Sequence, residues 1–346
     1  KIGKTYEVKA TGGGVLGDLD PIQVAFGAGE TTKTIDIPLN HRIFSAVGKH
    51  DVVWQWSYRS LGGAWQNLGN TSHRIFTLLA IPPAPWSQAI GSKKNPWTDL
   101  LSISCTKAQG AADNHTAMKK IVQTIHNDYS LKYDVVTGAP RYGYSSTGTS
   151  FNLTNWIDYV LKGNAPAVPV FCNGTADQYK NFLIVNCYDA AASLALMSQS
   201  IGLGSGYYFH QPFGKFNYVE PIGRGKCNNP FFGCGGGANS AVGSDDPRTG
   251  FGNHAYTKMN AKNYDACMRE WLTAGQKLGL ILLWLIILII TFGLLNLVSL
   301  LERAGGWLIN LTQAAYDTRT IDKSTPAEAA SAAGGAPVLQ VLDFQI

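Results

Sequence analysis

The sequence predicts an α+β protein: an N-terminal β-sandwich, a mixed helix-and-sheet core, and a C-terminal apolar helix. Three observations carry this expectation. Residues 1–86 hold short runs in which apolar and polar side chains alternate with period two. Residues 114–129 and 186–201 switch to the period of an α-helix. Residues 278–301 contain no charged side chain.

In the first region Trp54, Trp56 and Tyr58 alternate with Val53, Gln55 and Ser57. Gly62-Gly63 follows and Trp65 opens a second run, the pattern of a hairpin. Further short runs at Tyr6–Ala10, Ile22–Phe26, Thr32–Ile37 and Arg74–Leu79 have the spacing of an Ig-like sandwich. The aromatic stripe reads as the core of that sandwich. Three prolines between Pro82 and Pro85 make a stiff connection, which puts a domain boundary at residue 86.

The core is expected over 87–275. Met118, Ile121, Val122, Ile125 and Tyr129 share one helical face, with Asp113 or Asn114 as the cap. A short helix is expected at Phe151–Leu161. Ala190, Leu194, Met197 and Ile201 define a further helix that starts near Asn186 and stops at Gly202. The glycine-rich stretch 223–253 reads as a long loop, followed by strands near Asn253–Met259 and Tyr264–Met268. Leu278–Leu301 is apolar all round and long enough to span a bilayer core; the alternative is a wholly buried helix. Lys262, Arg269 and Lys277 precede it and Arg303 and Arg319 follow, which sets the core on the cytoplasmic side of a membrane. A secreted protein is the other localisation considered. Residues 302–346 read as a tail, mostly loop, with a final strand at Val338–Phe344.

Composition narrows the function. Among 346 residues, 45% are hydrophobic and 11% aromatic, which excludes a disordered chain. The net charge of +5 is dispersed, with no basic run and no stacking-platform motif, so no nucleic-acid partner is expected. Six cysteines are too few for a disulfide scaffold and form no C-x-x-C pair, so no structural zinc, and no other metal or cofactor, is expected.

The chemistry centres on Cys187, His254 and Asp265. A cysteine in the first turn of a helix faces the positive end of the helix dipole, which favours thiolate. An imidazole beside it would hold the proton and return it to a leaving group, and a carboxylate on the other ring nitrogen would fix the tautomer. The eleven residues between His254 and Asp265 suit two adjacent antiparallel strands with a turn at Asn260–Asn263. Gln178, or the Cys187 backbone N–H, is the candidate oxyanion donor. Cys227 and Cys234 are a candidate disulfide or metal clip, with free loop thiols as the alternative. Asp245-Asp246 reads as a solvated turn, Asp189 as a first-turn acid, and His210 as a strand-end residue.

The segment Asn186-Cys187-Tyr188-Asp189-Ala190-Ala191, running through Leu194 and Met197 to Ile201-Gly202, resembles the transglutaminase core pattern. Asn253-His254-Ala255-Tyr256 is similar to that family's second motif, and Tyr264-Asp265-Ala266 to its third. The resemblance covers about residues 100–270. It departs from the family in the long glycine-rich stretch and in the apolar run that begins where sheet usually continues. It implies a transglutaminase-like, papain-like α+β core in which Cys187 attacks a carbonyl, His254 serves as base and then acid, and Asp265 orients His254. It implies acyl transfer or hydrolysis at glutamine or peptide carbonyls of proteins: crosslinking, deamidation or proteolysis. A protein or peptide is thus the expected partner, with membrane contact through 278–301. Two further readings are an inactive binding or scaffold module with the same fold and a membrane-associated effector.

Overall fold

The computed structural model describes residues 3–41, 45–87, 97–135, 140–143, 150–166, 182–229, 250–291, 302–325, 336–340 and 343–345. The chain divides into two compact units, Lys1–Leu79 with Gln109–Ala112, and Ala80–Ala108 with Asp113–Ile346. The division therefore falls before the proline run, not at residue 86. Trp86 explains why: it is buried in the second unit, and its indole donates to the Leu196 carbonyl at 3.2 Å. Gln109–Ala112 joins the first unit through backbone bonds between Val47 and Gly110 and Ala111.

The first unit contains β1 (Lys4–Thr11), β2 (Leu19–Phe26), β3 (Gly48–Ser60) and β4 (Gln66–Thr77). They form one antiparallel sheet in the order β2-β1-β3-β4. The period-two pattern does its expected work in β3, where Val52 and Trp54 are buried and Asp51, Val53 and Gln55 are exposed. Val52 and Trp54 pack with Ala10, Leu16 and Leu19. The expected two-sheet sandwich is corrected: among the described residues of the first unit there is a single sheet. Thr32–Ile37 forms no strand. In that stretch only Ile35 and Ile37 are even half-buried, and most of β4 is exposed, so there is little apolar surface for a second sheet to cover.

The second unit opens with α1 (Thr98–Lys107) and α2 (Asn114–Asn127). Asp113 caps α2 by accepting the Thr116 N–H at 2.8 Å, and Met118, Ile121, Val122 and Ile125 are buried as the periodicity demands. β5 (Lys132–Tyr133), β6 (Ser150–Asn152), α3 (Leu153–Asn155) with a π-turn at Trp156–Leu161, and β7 (Ile184–Val185) lead to α4 (Cys187–Ser200). The expected helix at Phe151–Leu161 thus begins two residues later, at Leu153. Then come β8 (Ser205–Gln211), β9 (Val219–Pro221), β10 (His254–Met259), β11 (Lys262–Tyr264), β12 (Met268–Glu270) and α5 (Ala274–Thr291). The unit closes with α6 (Gln313–Thr320), β13 (Ala336–Gln340) and β14 (Asp343–Gln345).

A four-stranded antiparallel sheet, β11-β10-β8-β13, forms the middle of the unit, and α4 packs on β8 and β10. Every side chain of α4 is buried. Such a helix needs small residues and satisfied polar groups. Ser198 and Ser200 fold their hydroxyls back onto helix carbonyls, and Gln199 donates to the Ser205 carbonyl at 2.6 Å. Gly202 ends the helix at φ +93°, where a Cβ would lie 2.1 Å from the Ala80 carbonyl oxygen.

The C-terminal expectations need two corrections. Residues 302–346 are not simply a tail: α6 is a helix whose Tyr316 and Thr320 are buried, and β13 pairs with β8 as a full member of the central sheet. Nor is the described part of the apolar run, to residue 287, a buried helix. Leu278, Ile281, Leu282, Leu283, Leu285 and Ile286 of α5 are exposed. Residues 292–301 of that run lie outside the described residues. Among the described residues no helix is long and apolar enough to cross a membrane.

The β10–β11 hairpin turns on Asn260 and Ala261, at φ +50° and +58°. A two-residue turn with both φ values positive favours Asn-Gly, and a Cβ in this conformation costs about 1–2 kcal/mol. Ala261→Gly should therefore raise the unfolding free energy by about 0.5–1 kcal/mol, after the entropy of the added glycine is deducted. Urea titration of the two proteins measures it.

Candidate functional site

The site is assembled at the mouth of α4 and the end of the β10–β11 hairpin. Asn186 adopts extended backbone, and its side chain accepts the N–H groups of Tyr188 (3.0 Å) and Asp189 (3.3 Å). Asp189 in turn accepts the Asn186 N–H at 3.2 Å, completing a reciprocal capping box. This fixes Cys187 as the first residue of the helix. The cap engages the amides of Tyr188 and Asp189 and not that of Cys187. Negative charge on the sulfur would meet the positive end of the helix dipole.

The hairpin register delivers the other two residues. Thr257 faces Tyr264 and Met259 faces Lys262 across the two-residue turn. Continuing that register sets Asp265 opposite Tyr256, one diagonal step from His254. Diagonal neighbours lie about 7–8 Å apart at Cα, within reach of a histidine and an aspartate. Their side chains meet: His254 Nε2 and Asp265 Oδ2 are 2.9 Å apart.

Asp265 is held by four donors. Oδ1 accepts the backbone N–H groups of Cys267 (2.8 Å) and Met268 (3.1 Å). Oδ2 accepts from His254 and from the Tyr316 hydroxyl at 2.6 Å. On the other side of the His254 ring, Nδ1 has no hydrogen-bond partner of standard geometry among the described residues. The Cys187 thiol nonetheless acts on this ring. Burial opposes the imidazolium, but the charges of Asp265 and Cys187 and the hydrogen bond to Asp265 outweigh it and raise the His254 pKa from 6.5 to about 10. Phe213 and Phe216 line the ring at 5.0 and 5.3 Å between centroids.

The three predicted residues are thus brought together, in a setting more enclosed than sequence alone implied. Cys187 is 5% exposed, Asp265 1% and His254 0%. Tyr188 stacks on Phe209 and its hydroxyl donates to Asn253, tying the helix mouth to the start of β10. Thr257 adds a second tie, donating to the Ala191 carbonyl at 2.9 Å.

Other predicted residues fare differently. Gln178, Cys234 and Asp245-Asp246 lie outside the described residues. Cys227 is a free, buried thiol, so the free-thiol alternative describes it and the disulfide does not. Burial alone pushes the Cys105 thiol to about 12, and the Cys227 thiol also reaches about 12. His210 lies in β8 opposite His254, with Nδ1 3.4 Å from the Tyr256 hydroxyl. Asp189 does more than serve the dipole. It also accepts the backbone N–H groups of Arg141 and Tyr142, each at 2.8 Å, pinning a distant segment to the helix mouth.

Two contributors escape sequence reasoning. Tyr316 and Gln313 stand in a polar stretch beyond the apolar run, with no motif around them. The only cue is the Thr312 cap, whose hydroxyl accepts the Ala315 N–H at 3.3 Å. Gln313 Oε1 accepts from Tyr256 (3.1 Å), Lys258 (3.0 Å) and Asn263 (3.1 Å), which seats α6 on the hairpin.

No protein-family model matches this chain, and no curated protein matches it in sequence.

Two predictions follow from the charges. The folded pKa of His254 lies above its unfolded value, so its stabilisation is complete below pH 6.5 and is lost as pH rises through about 10. His254→Gln should cost about 3 kcal/mol at neutral pH, the scale of a broken buried pair. The stability gap between wild type and variant should narrow as the pH is raised towards 10.

Burial raises the Asp189 carboxyl from 3.8 to about 6, against its backbone donors and Arg141. Its ionisation therefore removes stability as pH climbs from 3.8 through 6. Asp189→Asn lacks this term. Its stability deficit relative to wild type should shrink over that interval, as read from denaturant midpoints.

Proposed function

We propose that the chain is a thiol-dependent acyltransferase or hydrolase of the transglutaminase-like class, acting on glutamine or peptide carbonyls of proteins. The observation that carries this reading is a single ring bonded on one nitrogen to Asp265 and raised in basicity by both Asp265 and Cys187. That is the arrangement an activated thiol requires.

The steps follow from the groups present. The thiol proton of Cys187 passes to His254, the sulfur bonds to the carbonyl carbon of the substrate, and the carbonyl π electrons move to oxygen. Among the described residues, the Cys187 N–H, at the start of α4 and outside the Asn186 cap, is the donor assigned to that oxygen. The C–N bond then breaks, with the electrons and the His254 proton leaving on nitrogen. For glutamine the product is ammonia and a thioester; for a peptide it is a new amino terminus and a thioester. An amine or water next bonds to the thioester carbon and gives a proton to His254; the C–S bond then breaks as the carbonyl re-forms, and the sulfur leaves with its electron pair and recovers the proton from His254. Amine attack gives crosslinking, and water gives deamidation or cleavage. Asp265 holds the ring in the required tautomer throughout. No cofactor is called for, and the partner is a protein or peptide.

A catalytically silent binding module is the second reading, favoured by the enclosure of the thiol at 5% exposure. Contact with a lipid surface through α5 is compatible with either and is supported by its exposed Leu and Ile side chains.

Incubation of a glutamine-bearing protein with the chain, with and without a primary amine, followed by mass spectrometry, tests the proposal. An amine adduct, a deamidated glutamine or a cleaved peptide is the expected result, lost in Cys187→Ala. An unchanged substrate under all conditions, with Cys187 inert to thiol-directed electrophiles, supports the silent module.

A further inference from the structure

We propose that Tyr316 is a positioning residue of the thiol site: its hydroxyl fixes the Asp265 carboxylate against the His254 ring and shares the charge of the oxygen that binds it. The inference rests on the thiol–imidazole reading above. Two independent observations support it.

The first is the geometry at Oδ2. Tyr316 donates at 2.6 Å to the same oxygen that meets His254 Nε2 at 2.9 Å. With Oδ1 held by the Cys267 and Met268 amides, rotation of the carboxylate would break several bonds at once. Tyr316 is wholly buried, and burial and the Asp265 charge hold its phenol well above the ordinary range. It therefore stays a donor at every pH at which the site would work.

The second is how α6 is seated. Gln313 lies one turn before Tyr316 on the same helix face and accepts three hydrogen bonds from β10 and β11. Its amide donates to Asp317 at 2.7 Å, which orients the acceptor oxygen toward the hairpin. The Tyr316 ring packs 4.6 Å from that of Tyr256, between centroids. The helix is thus bound to the very hairpin that carries His254 and Asp265. The charged groups that act on His254 are then Asp265 and Cys187. A segment beyond the apolar run completes a site whose other members all precede it.

The test is the rate at which iodoacetamide alkylates Cys187 across acid, neutral and alkaline pH, in wild type, Tyr316→Phe, Gln313→Leu and His254→Gln. Circular dichroism verifies the fold of each. Tyr316→Phe should react about tenfold more slowly at neutral pH, the scale of one hydrogen bond to a charged group, and the alkaline limb of its profile should move. Gln313→Leu keeps the hydroxyl but loosens its helix, and should shift the profile in the same direction by less. It is also the variant that decides if Tyr316→Phe does not fold. Profiles of both variants that superimpose on wild type, with His254→Gln slow, would overturn the role of Tyr316 and leave the thiol–imidazole reading standing. A His254→Gln profile matching wild type would remove that reading itself.

Discussion

The carboxylate of Asp265 is the constraint on which the second unit depends. Its two oxygens take donors from β10, from the backbone leading into β12, and from α6. A buried carboxylate is costly unless its lone pairs are filled, and here each is met. Three segments must close on one group for that to happen. The position of the His254 ring, and hence its relation to Cys187, follows from this closure and not from any local preference of the strand.

The capping box at Asn186 is the matching constraint on the other side. It fixes where α4 begins, and so which residue stands in the first turn. Tyr188 and Thr257 tie that helix to β10, so the helix mouth and the hairpin are held as one body by side-chain bonds on either side of the thiol. The same closeness encloses the sulfur. An environment dry enough to strengthen the charge interactions at the site also leaves little room for a polypeptide to approach.

Much of this arrangement was legible in the sequence because it is written locally. Asn186 followed three residues later by Asp189 is a cap, and Gly202 is a stop. The separation of His254 and Asp265 equals two strands joined by a short turn. The N-terminal unit was less legible. Period-two patterning identifies strands but not their partners, and Thr32–Ile37 alternates without burying enough to pair. A final strand near Val338–Phe344 was legible, but the contribution of α6 was not. Gln313–Thr320 has the polar composition of a surface helix. The burial of Tyr316 comes from a carboxylate 51 residues earlier, a relation that no periodicity encodes.

The account stands on His254 being an imidazolium held between Asp265 and Cys187. Nitrogen NMR of the ring, in protein labelled at histidine and titrated from neutral to alkaline pH, reads that state directly. Both ring nitrogens should carry protons at neutral pH and lose one only towards about 10, with a large fall in that midpoint in Asp265→Asn. A ring already singly protonated at neutral pH, and indifferent to Asp265→Asn, would contradict the account.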